Sequence, residues 1–245
     1  MAEFDITVKN TADVSGITAR RWESCFPAAD AAADAAGDAA LFAHTAEART
    51  LIIGSHGDAA GMCNLVPVSA DGMHGLYLFA VGVLPEYRGM GGFRLLCATA
   101  RRIAESEGAD FTVLVPADER LGETYKRYGY RGNISIPRFT VADSRGLLVR
   151  AEMPPPVSRR GVLMPSDGFI SYIRASYESF RIGDSYLLCG AESGGSRQVY
   201  EYIPGCRAEH IIPADPHAHG LILPLTPRAA RLTDEASFYC SMGED

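Results

Sequence analysis

The sequence lacks the features of a disulfide-bonded, membrane-bound or secreted protein. Its six cysteines show no C-x-x-C spacing and lie mostly within apolar runs, which predicts buried free thiols. No window approaches the roughly 18 consecutive apolar residues of a membrane span, and the first residues do not combine the basic and apolar regions of a signal peptide. We therefore expect a cytoplasmic protein with no membrane partner.

A basic surface is missing as well. The chain carries 23 lysines and arginines against 30 aspartates and glutamates, which gives a formal net charge of -7 at pH 7. Proteins that bind a nucleic-acid backbone usually present a basic face, so we expect no nucleic-acid partner. The acidic balance favours cationic small substrates only mildly, because many proteins are acidic for solubility alone.

The chain does contain enough apolar sequence for a sizeable core, with 245 residues that are 47% hydrophobic and 22% charged. We predict an α+β architecture in two parts. Three consecutive prolines at 154–156 lie in a stretch of scattered charge, which is typical of a linker. The predicted division is a first domain at residues 1–143, a linker at 144–160 and a smaller α+β domain at 161–245.

The pattern of apolar residues predicts the elements of both parts. The predicted elements of the first part are a helix at 15–25, an alanine-rich helix within 28–48, a hairpin of 50–53 with 60–68, a strand at 76–84, a helix at 94–107, a strand at 111–115, a helix at 121–128 and a strand near 135–141. The strands on either side of the helix at 94–107 should be parallel neighbours. The predicted elements of the second part are a helix at 167–180, strands at 185–191 and 198–203, and a final strand at 236–242. A surface helix is the first interpretation of the alanine-rich segment, and a mobile lid is the alternative.

The central stretch runs from Leu76 to Phe93 and reads L-Y-L-F-A-V-G-V-L-P-E-Y-R-G-M-G-G-F, directly before a helical pattern. A glycine-rich turn between a strand and a helix can bind a phosphate group, because its backbone N–H groups surround the anion and the helix N-terminus adds partial positive charge. A Walker A loop is excluded because no Gly-Lys-Ser/Thr follows. The dinucleotide pattern G-x-G-x-x-G is excluded because Arg94 stands where its last glycine would be.

The remaining match is to an acyl-CoA loop. The residues Val83, Pro85, Tyr87, Arg88, Gly89 and Gly91 follow the pattern Val-x-Pro-x-Tyr-Arg-Gly and Arg-x-x-Gly-x-Gly/Ala, which resembles the GNAT acetyltransferase family. A second match lies downstream, where the residues from Glu123 to Tyr130 resemble the family's Phe-Tyr-x-Lys-x-Gly-Phe element. The two matches occur in the family's order, and together the resemblance covers about residues 15–140.

The resemblance implies a mixed sheet with flanking helices, an α/β sandwich of the α+β class. It also implies transfer of an acetyl group from acetyl-CoA to the amine of a small molecule, with no metal. The backbone of Val81 and Val83 would hold the pantetheine arm, and Tyr125 would protonate the leaving thiolate, which a phenol with a pKa near ~10 can do. The residues that would bind the pyrophosphate are Arg88, Gly89, Met90, Gly91, Gly92 and Phe93.

In the second element, Thr124 and Tyr130 stand where the family commonly has phenylalanine. One position of the glycine-rich loop also departs from the family's pattern. Phe93 stands where a second glycine or alanine is usual, so its backbone donor is kept but its bulky side chain must turn away from the ligand. This departure, together with the lack of an obvious general base, keeps an alternative open. The alternative is a non-catalytic CoA-binding or ligand-sensing module.

The general base is not identified by the sequence. The candidates are placed by region only, and they are Glu23, Asp30, His44 and His74. The neighbouring prolines favour a solvated loop around Asp215, His217 and His219. A zinc site formed by these three residues is the alternative.

The second part has no glycine-rich loop of its own. We interpret it as a smaller α+β unit that could be a degenerate second copy of the first. Its aromatic residues Phe169, Tyr172, Tyr177 and Phe180 fall near helical spacing, which predicts core packing, with a substrate-cleft wall as the alternative. A homodimer is a further expectation that the sequence leaves open.

Overall fold

The computed structural model describes residues 4–14, 25, 35–55, 58–142, 147–205, 211–213 and 219–240. The predicted helix at 15–25 therefore lies outside the described residues, except for Cys25. The α-helices are α1 (Ala35–Thr45), α2 (Gly92–Ser106), α3 (Glu119–Lys126), α4 (Asp167–Ser176) and α5 (Leu232–Glu235). None of these described helices combines the length and the apolar character that a bilayer crossing needs.

The strands form two sheets. They are β1 (Asp5–Asn10), β2 (Arg49–Ser55), β3 (Asp58–Ala70), β4 (Met73–Val83), β5 (Phe111–Leu114), β6 (Arg131–Ile134), β7 (Phe139–Ala142), β8 (Val149–Arg150), β9 (Val162–Pro165), β10 (Glu178–Ile182), β11 (Ser185–Ser193), β12 (Ser196–Ile203), β13 (Ile211–Pro213), β14 (Gly220–Pro224) and β15 (Ser237–Phe238). The first sheet has the order β1-β2-β3-β4-β5-β14-β6, and the second has the order β13-β7-β12-β11-β10-β8.

The first sheet is mixed. β1 to β4 pair antiparallel. β4 and β5 pair parallel and are connected by α2, and β14 runs antiparallel to both of its neighbours. The helices α2 and α3 pack on one face through a cluster that includes Leu96 and Tyr125, whereas α1 and α4 pack on the other through a cluster that includes Phe42 and Phe169. The predicted mixed sheet with flanking helices is confirmed, as are the hairpin of β2 with β3 and the parallel pair on either side of α2.

Sheet membership crosses the predicted division of the chain. β14 comes from the predicted second domain but lies between β5 and β6 of the first sheet. Conversely, β7 and β8 come from the predicted first domain and linker but pair with β12 and β10 of the second sheet. Strand pairing is a long-range property, so a proline-rich segment alone did not reveal it. Separate folding of two parts stays a prediction.

The two halves share an order of elements. α1 is followed by the antiparallel strands β2, β3 and β4, and α4 is followed by the antiparallel strands β10, β11 and β12. The two helices pack on each other, with the Phe42 ring 6.1 Å from Phe169 and 5.2 Å from Tyr172 between centroids. This order supports the hypothesis of a degenerate second copy, which stays a hypothesis.

The predicted helix at 167–180 is too long. α4 ends at Ser176, Tyr177 is extended, and Phe180 lies on β10. Phe180 and Ile182 are buried on either side of exposed Arg181, which is strand alternation and not a helical stripe. Phe169 and Tyr172 do pack in the core, as predicted, but from a different element than Phe180.

A buried carboxylate holds the chain where β14 ends. Asp110 accepts hydrogen bonds from the guanidinium of Arg228 and the hydroxyl of Thr226, and its side chain also accepts from the backbone N–H of His74. Its backbone carbonyl accepts from the N–H groups of Leu225 and Thr226. The hydrogen bond from Arg228 is the main reason that the pKa of Asp110 lies well below its usual value. Asp110 therefore fastens the segment after β14 to the start of β5.

We expect Asp110→Ala to lower the free energy of unfolding by about 2 kcal/mol, because the buried carboxylate and its hydrogen bonds from Arg228, Thr226 and His74 are lost. The depressed pKa means that this contribution is present above the unfolded value near ~3.9 and is lost as the pH falls below it. Urea denaturation at pH 7 and at pH 3 measures both effects. Glu105→Ala is the control, because its pair with Arg101 is exposed and should contribute less than about 0.5 kcal/mol. Equal costs for the two variants would contradict the assignment.

Candidate functional site

The strand β4 contains a bulge at Ala80 and Val81. Asn64 of β3 pairs with Phe79 and Met62 pairs with Gly82, so two residues of β4 oppose the single residue Cys63. Ala80 has a φ of 52°, which is a rare conformation for a residue other than glycine. The bulge interrupts the alternation of side chains between the two faces of the sheet. The consecutive residues Phe79 and Ala80 both pack on the face that α1 covers, whereas Val81 packs on the face that α2 covers. Bulges of this kind occur often beside active sites.

Pairing between β4 and β5 stops just before the bulge. Their parallel register ends at Leu78 opposite Leu114, although β4 continues to Val83. The N–H of Leu84 bonds to Ala60 on β3, so by alternation the backbone groups of Val81 and Val83 point to the other side, toward the gap. The Val83 carbonyl accepts a hydrogen bond of 3.1 Å from Nε of Arg88. The predicted ligand-holding backbone therefore faces an open edge, with the Val83 carbonyl already bonded.

The glycine-rich loop follows directly. After a 3-10 turn at Pro85–Tyr87, Gly89 and Gly91 have φ values of 77° and 94°, and a Cβ at either would have no heavy atom within 4 Å. In the described structure, the N–H groups from Gly89 to Phe93 make no hydrogen bond to the protein. The first turn of α2 carries no acidic residue. Free N–H groups, a helix N-terminus and open space are the properties of an anion site.

The other loop residues have separate roles. A Cβ on Gly92 would lie 2.7 Å from Cδ1 of Ile53, so this glycine allows α2 to pack closely on the sheet. Met90 is 46% exposed. Arg88 lies at the end of the 3-10 turn, where its Nε bonds to Val83 and orders the start of the loop. The structure thus brings the predicted loop residues together at the end of β4.

Tyr125 lies on α3 beside this loop. The helix begins after Asp118, whose carboxylate accepts a hydrogen bond of 2.6 Å from the N–H of Leu121. Tyr125 is 4% exposed, and burial raises the pKa of its phenol well above the usual value. Its ring lies 5.7 Å from that of Tyr130, whose hydroxyl is 2.9 Å from Oγ1 of Thr112 on β5. The phenol of Tyr125 is therefore protonated at physiological pH, and its ring packs on Tyr130, which makes a hydrogen bond to β5.

Phe93 turns toward α3. Its ring centroid lies 5.1 Å from that of Tyr125 and 5.8 Å from that of Tyr128. The side chain is half-buried in the same cluster as Tyr125. The bulky residue at the departing position of the motif thus packs between α2 and α3.

Residues 15–130 match the profile of the acetyltransferase (GNAT) family. The chain carries a GNAT acetyltransferase domain. This match contains the β4 bulge, the glycine-rich loop and Tyr125. No curated protein matches the sequence.

Solved structures agree with the GNAT fold over most of the chain. A GCN5-related N-acetyltransferase from Anabaena variabilis ATCC 29413 is 15% identical, with a TM-score of 0.62 over 90% of this chain and 72% of that one. Another from Kribbella flavida is 16% identical, with a TM-score of 0.58 over 89% and 71%. Eis1 from Mycobacterium abscessus is 14% identical, with a TM-score of 0.54 over 76% and 53%. At these identities the likeness shows the fold alone.

The structure does not bring the four general-base candidates together at the loop. Glu23 and Asp30 lie outside the described residues. His44 is exposed on the last turn of α1. His74 lies at the start of β4, nine residues before Val83 and hence roughly 30 Å from the loop, because a strand rises about 3.3 Å per residue. This distance removes His74 as a base.

The zinc hypothesis is not tested by the structure. Asp215 and His217 lie outside the described residues, and only His219 lies within them. Across the described ranges, no three histidine, cysteine, aspartate or glutamate side chains are close enough to hold a metal ion.

The sequence missed two parts of the site. The bulge at Ala80 lies in the continuous apolar run from Leu76 to Leu84, where a change of facing leaves no polar residue out of place. The hydrogen bond from Arg88 to Val83 depends on how the loop folds back on its own strand. Neither the bulge nor this hydrogen bond can be predicted from the residue types alone.

Proposed function

We propose that the protein is an acetyl-CoA-dependent N-acetyltransferase that acts on the amine of a small molecule. The observation that carries this proposal is the gap between β4 and β5. It opens at a bulge, leads to a loop of free N–H groups and has the phenol-bearing Tyr125 beside it. The acceptor is defined only as an amine. We also propose that the protein acts in the cytoplasm without a nucleic-acid or membrane partner.

The loop fits the pyrophosphate of CoA. Its N–H groups from Gly89 to Phe93 make no hydrogen bond within the described protein, and no acidic side chain lies in the first turn of α2 to repel an anion. A Cβ at Gly89 or Gly91 would have no heavy atom within 4 Å, so the space beside both glycines is open. Charge-assisted hydrogen bonds to backbone N–H groups are stronger than neutral ones, so the loop would supply much of the affinity.

In this proposal each residue has one task. Acetyl-CoA supplies the activated thioester. The free N–H of Val83 and the backbone groups of Val81 face the gap, where they can orient the pantetheine amides and polarise the thioester carbonyl. The amine nitrogen attacks the thioester carbonyl, and the C–S bond breaks as the amide forms. Tyr125 gives its proton to the leaving sulfur, and the proton that the nitrogen loses restores the phenol. Since its pKa is raised by burial, the phenol stays protonated until that step.

A ligand-sensing module is the second candidate. It is favoured by Phe93, whose ring occupies the space between α2 and α3 next to Tyr125. A sensor would keep the loop and bind CoA but would not transfer the acetyl group.

Titration of the full chain with acetyl-CoA, followed by a thiol-release assay over a panel of amines, tests the proposal. We expect saturable binding and release of CoA that depends on the amine. Binding without release for any amine would favour the sensor. Absence of binding would contradict both functions.

A further inference from the structure

We propose that Phe93 is a positioning residue, which holds the Tyr125 ring in place and couples it to the glycine-rich loop. The inference rests on the proposed acetyl transfer and adds a role for the residue that departs from the motif. Tyr125 is the group that would touch the reacting sulfur, and Phe93 would act through it.

The orientation of Tyr125 depends on its ring. Within the described structure, its hydroxyl makes no hydrogen bond, so no polar contact fixes the direction of the O–H. The ring is instead packed on two sides, by Phe93 at 5.1 Å with an interplanar angle of 57° and by Tyr130 at 5.7 Å with an angle of 70°. Tilted and edge-to-face aromatic contacts of this kind are directional. Removal of either neighbour takes away one of the two ring contacts that orient the phenol.

The two neighbours are anchored differently. Tyr130 is buried, and its hydroxyl is 2.9 Å from Thr112 Oγ1 on β5, so it belongs to the rigid sheet side. Phe93 belongs to the first turn of α2, two residues after Gly91 and directly beside the free N–H groups of the loop. Of these two ring contacts, the one from Phe93 can therefore transmit a movement of the loop to Tyr125.

A smaller residue would break this link. Alanine at position 93 keeps the backbone N–H and so keeps the anion-binding groups, but it removes the ring that touches both Tyr125 and Tyr128. The consequence is a specific kinetic pattern. The loss should fall on turnover and not on the affinity for acetyl-CoA, because only the acid is displaced.

The test is a double-mutant cycle of Phe93→Ala with Tyr125→Phe, in which kcat and KM for acetyl-CoA are measured by thiol release. We expect Phe93→Ala alone to lower kcat about tenfold and to change KM less than about threefold. In the Tyr125→Phe background, the same substitution should change kcat less than about twofold. Phe93→Tyr, which keeps the aromatic ring, should retain most of the turnover. Leu95→Ala is the matched control, because Leu95 is a half-buried residue of the same turn with no aromatic ring.

A readout that does not need turnover completes the test. In protein labelled with 3-fluorotyrosine, the signal of position 125 is assigned by its loss in Tyr125→Phe. Phe93→Ala and the addition of CoA should each shift or broaden this ¹⁹F signal, whereas Leu95→Ala should not. An equal kcat loss in both backgrounds, or a signal that Phe93→Ala leaves unchanged, would overturn the proposal. Absence of thiol release by the unmodified protein would contradict the proposed function, and the ¹⁹F signal would still decide the role of Phe93.

Discussion

Tyr125→Phe should lower turnover about 100-fold and leave the affinity for acetyl-CoA nearly unchanged. The substitution removes one hydroxyl, and general acid catalysis contributes a factor of this order. The ring stays, so its contacts with Phe93 and Tyr130 stay as well. Thiol release gives turnover, and calorimetric titration gives the affinity.

The pH profile sharpens this expectation. Burial raises the pKa of the Tyr125 phenol well above its ordinary value near 10. An acid acts in its protonated form, so the rise extends the active range upward and does not shorten it. Activity of the unmodified protein should therefore show no alkaline decline caused by Tyr125 below about pH 9.

Tyr128→Phe is the matched control, from the turn that directly follows α3. Tyr128 also contacts Phe93, at 5.8 Å, but it follows the end of α3 and is more exposed than Tyr125. We expect it to change turnover less than about threefold. Similar losses in the two variants would show that the hydroxyl of Tyr125 is not the proton donor.

The glycine-rich turn and the helix after it could be predicted from the sequence because they depend on neighbouring residues, whereas the role of Tyr125 comes from the family resemblance and stays a prediction. Gly89 and Gly91 determine the turn by their own conformational freedom, and the helix that begins after them is local as well. The parallel pair of β4 with β5 follows from one strand–helix–strand unit. These features set the fold class and the place of the site.

The rest depends on contacts between distant residues. β14 joins the first sheet from about 100 residues beyond β5, and the ion pair of Asp110 with Arg228 that fastens its end spans 118 positions. The bulge at Ala80 is visible only through the register with β3. The end of α4 was missed because Phe180 fits both a helical and an alternating pattern, and its pairing with Leu187 on β11 decides between them.

Gly91→Val should raise the Kd for acetyl-CoA about 100-fold. The residue has a φ of 94°, which a β-branched side chain adopts only with strain, so the loop must shift. Each hydrogen bond from an N–H group to a charged ligand contributes about 1.5–3 kcal/mol. The loss of one or two of them gives a change of this size.

Gly108→Val is the control that distinguishes an effect on the loop from the effect of backbone strain alone. Gly108 has a φ of 71° and, like Gly91, would place a Cβ with nothing within 4 Å, but it lies beyond the C-terminal end of α2. The two variants should lose similar stability, about 1–3 kcal/mol by chemical denaturation. Only Gly91→Val should lose binding.

The paired outcomes distinguish the two candidate functions. An acetyltransferase should lose donor binding with Gly91→Val and turnover with Tyr125→Phe, because the loop and the phenol act on different steps. A sensor should show the same binding loss with Gly91→Val but no turnover for Tyr125→Phe to change. If both glycine variants weaken binding equally, the effect comes from the stability of α2 as a whole, and the loop is not the anion site.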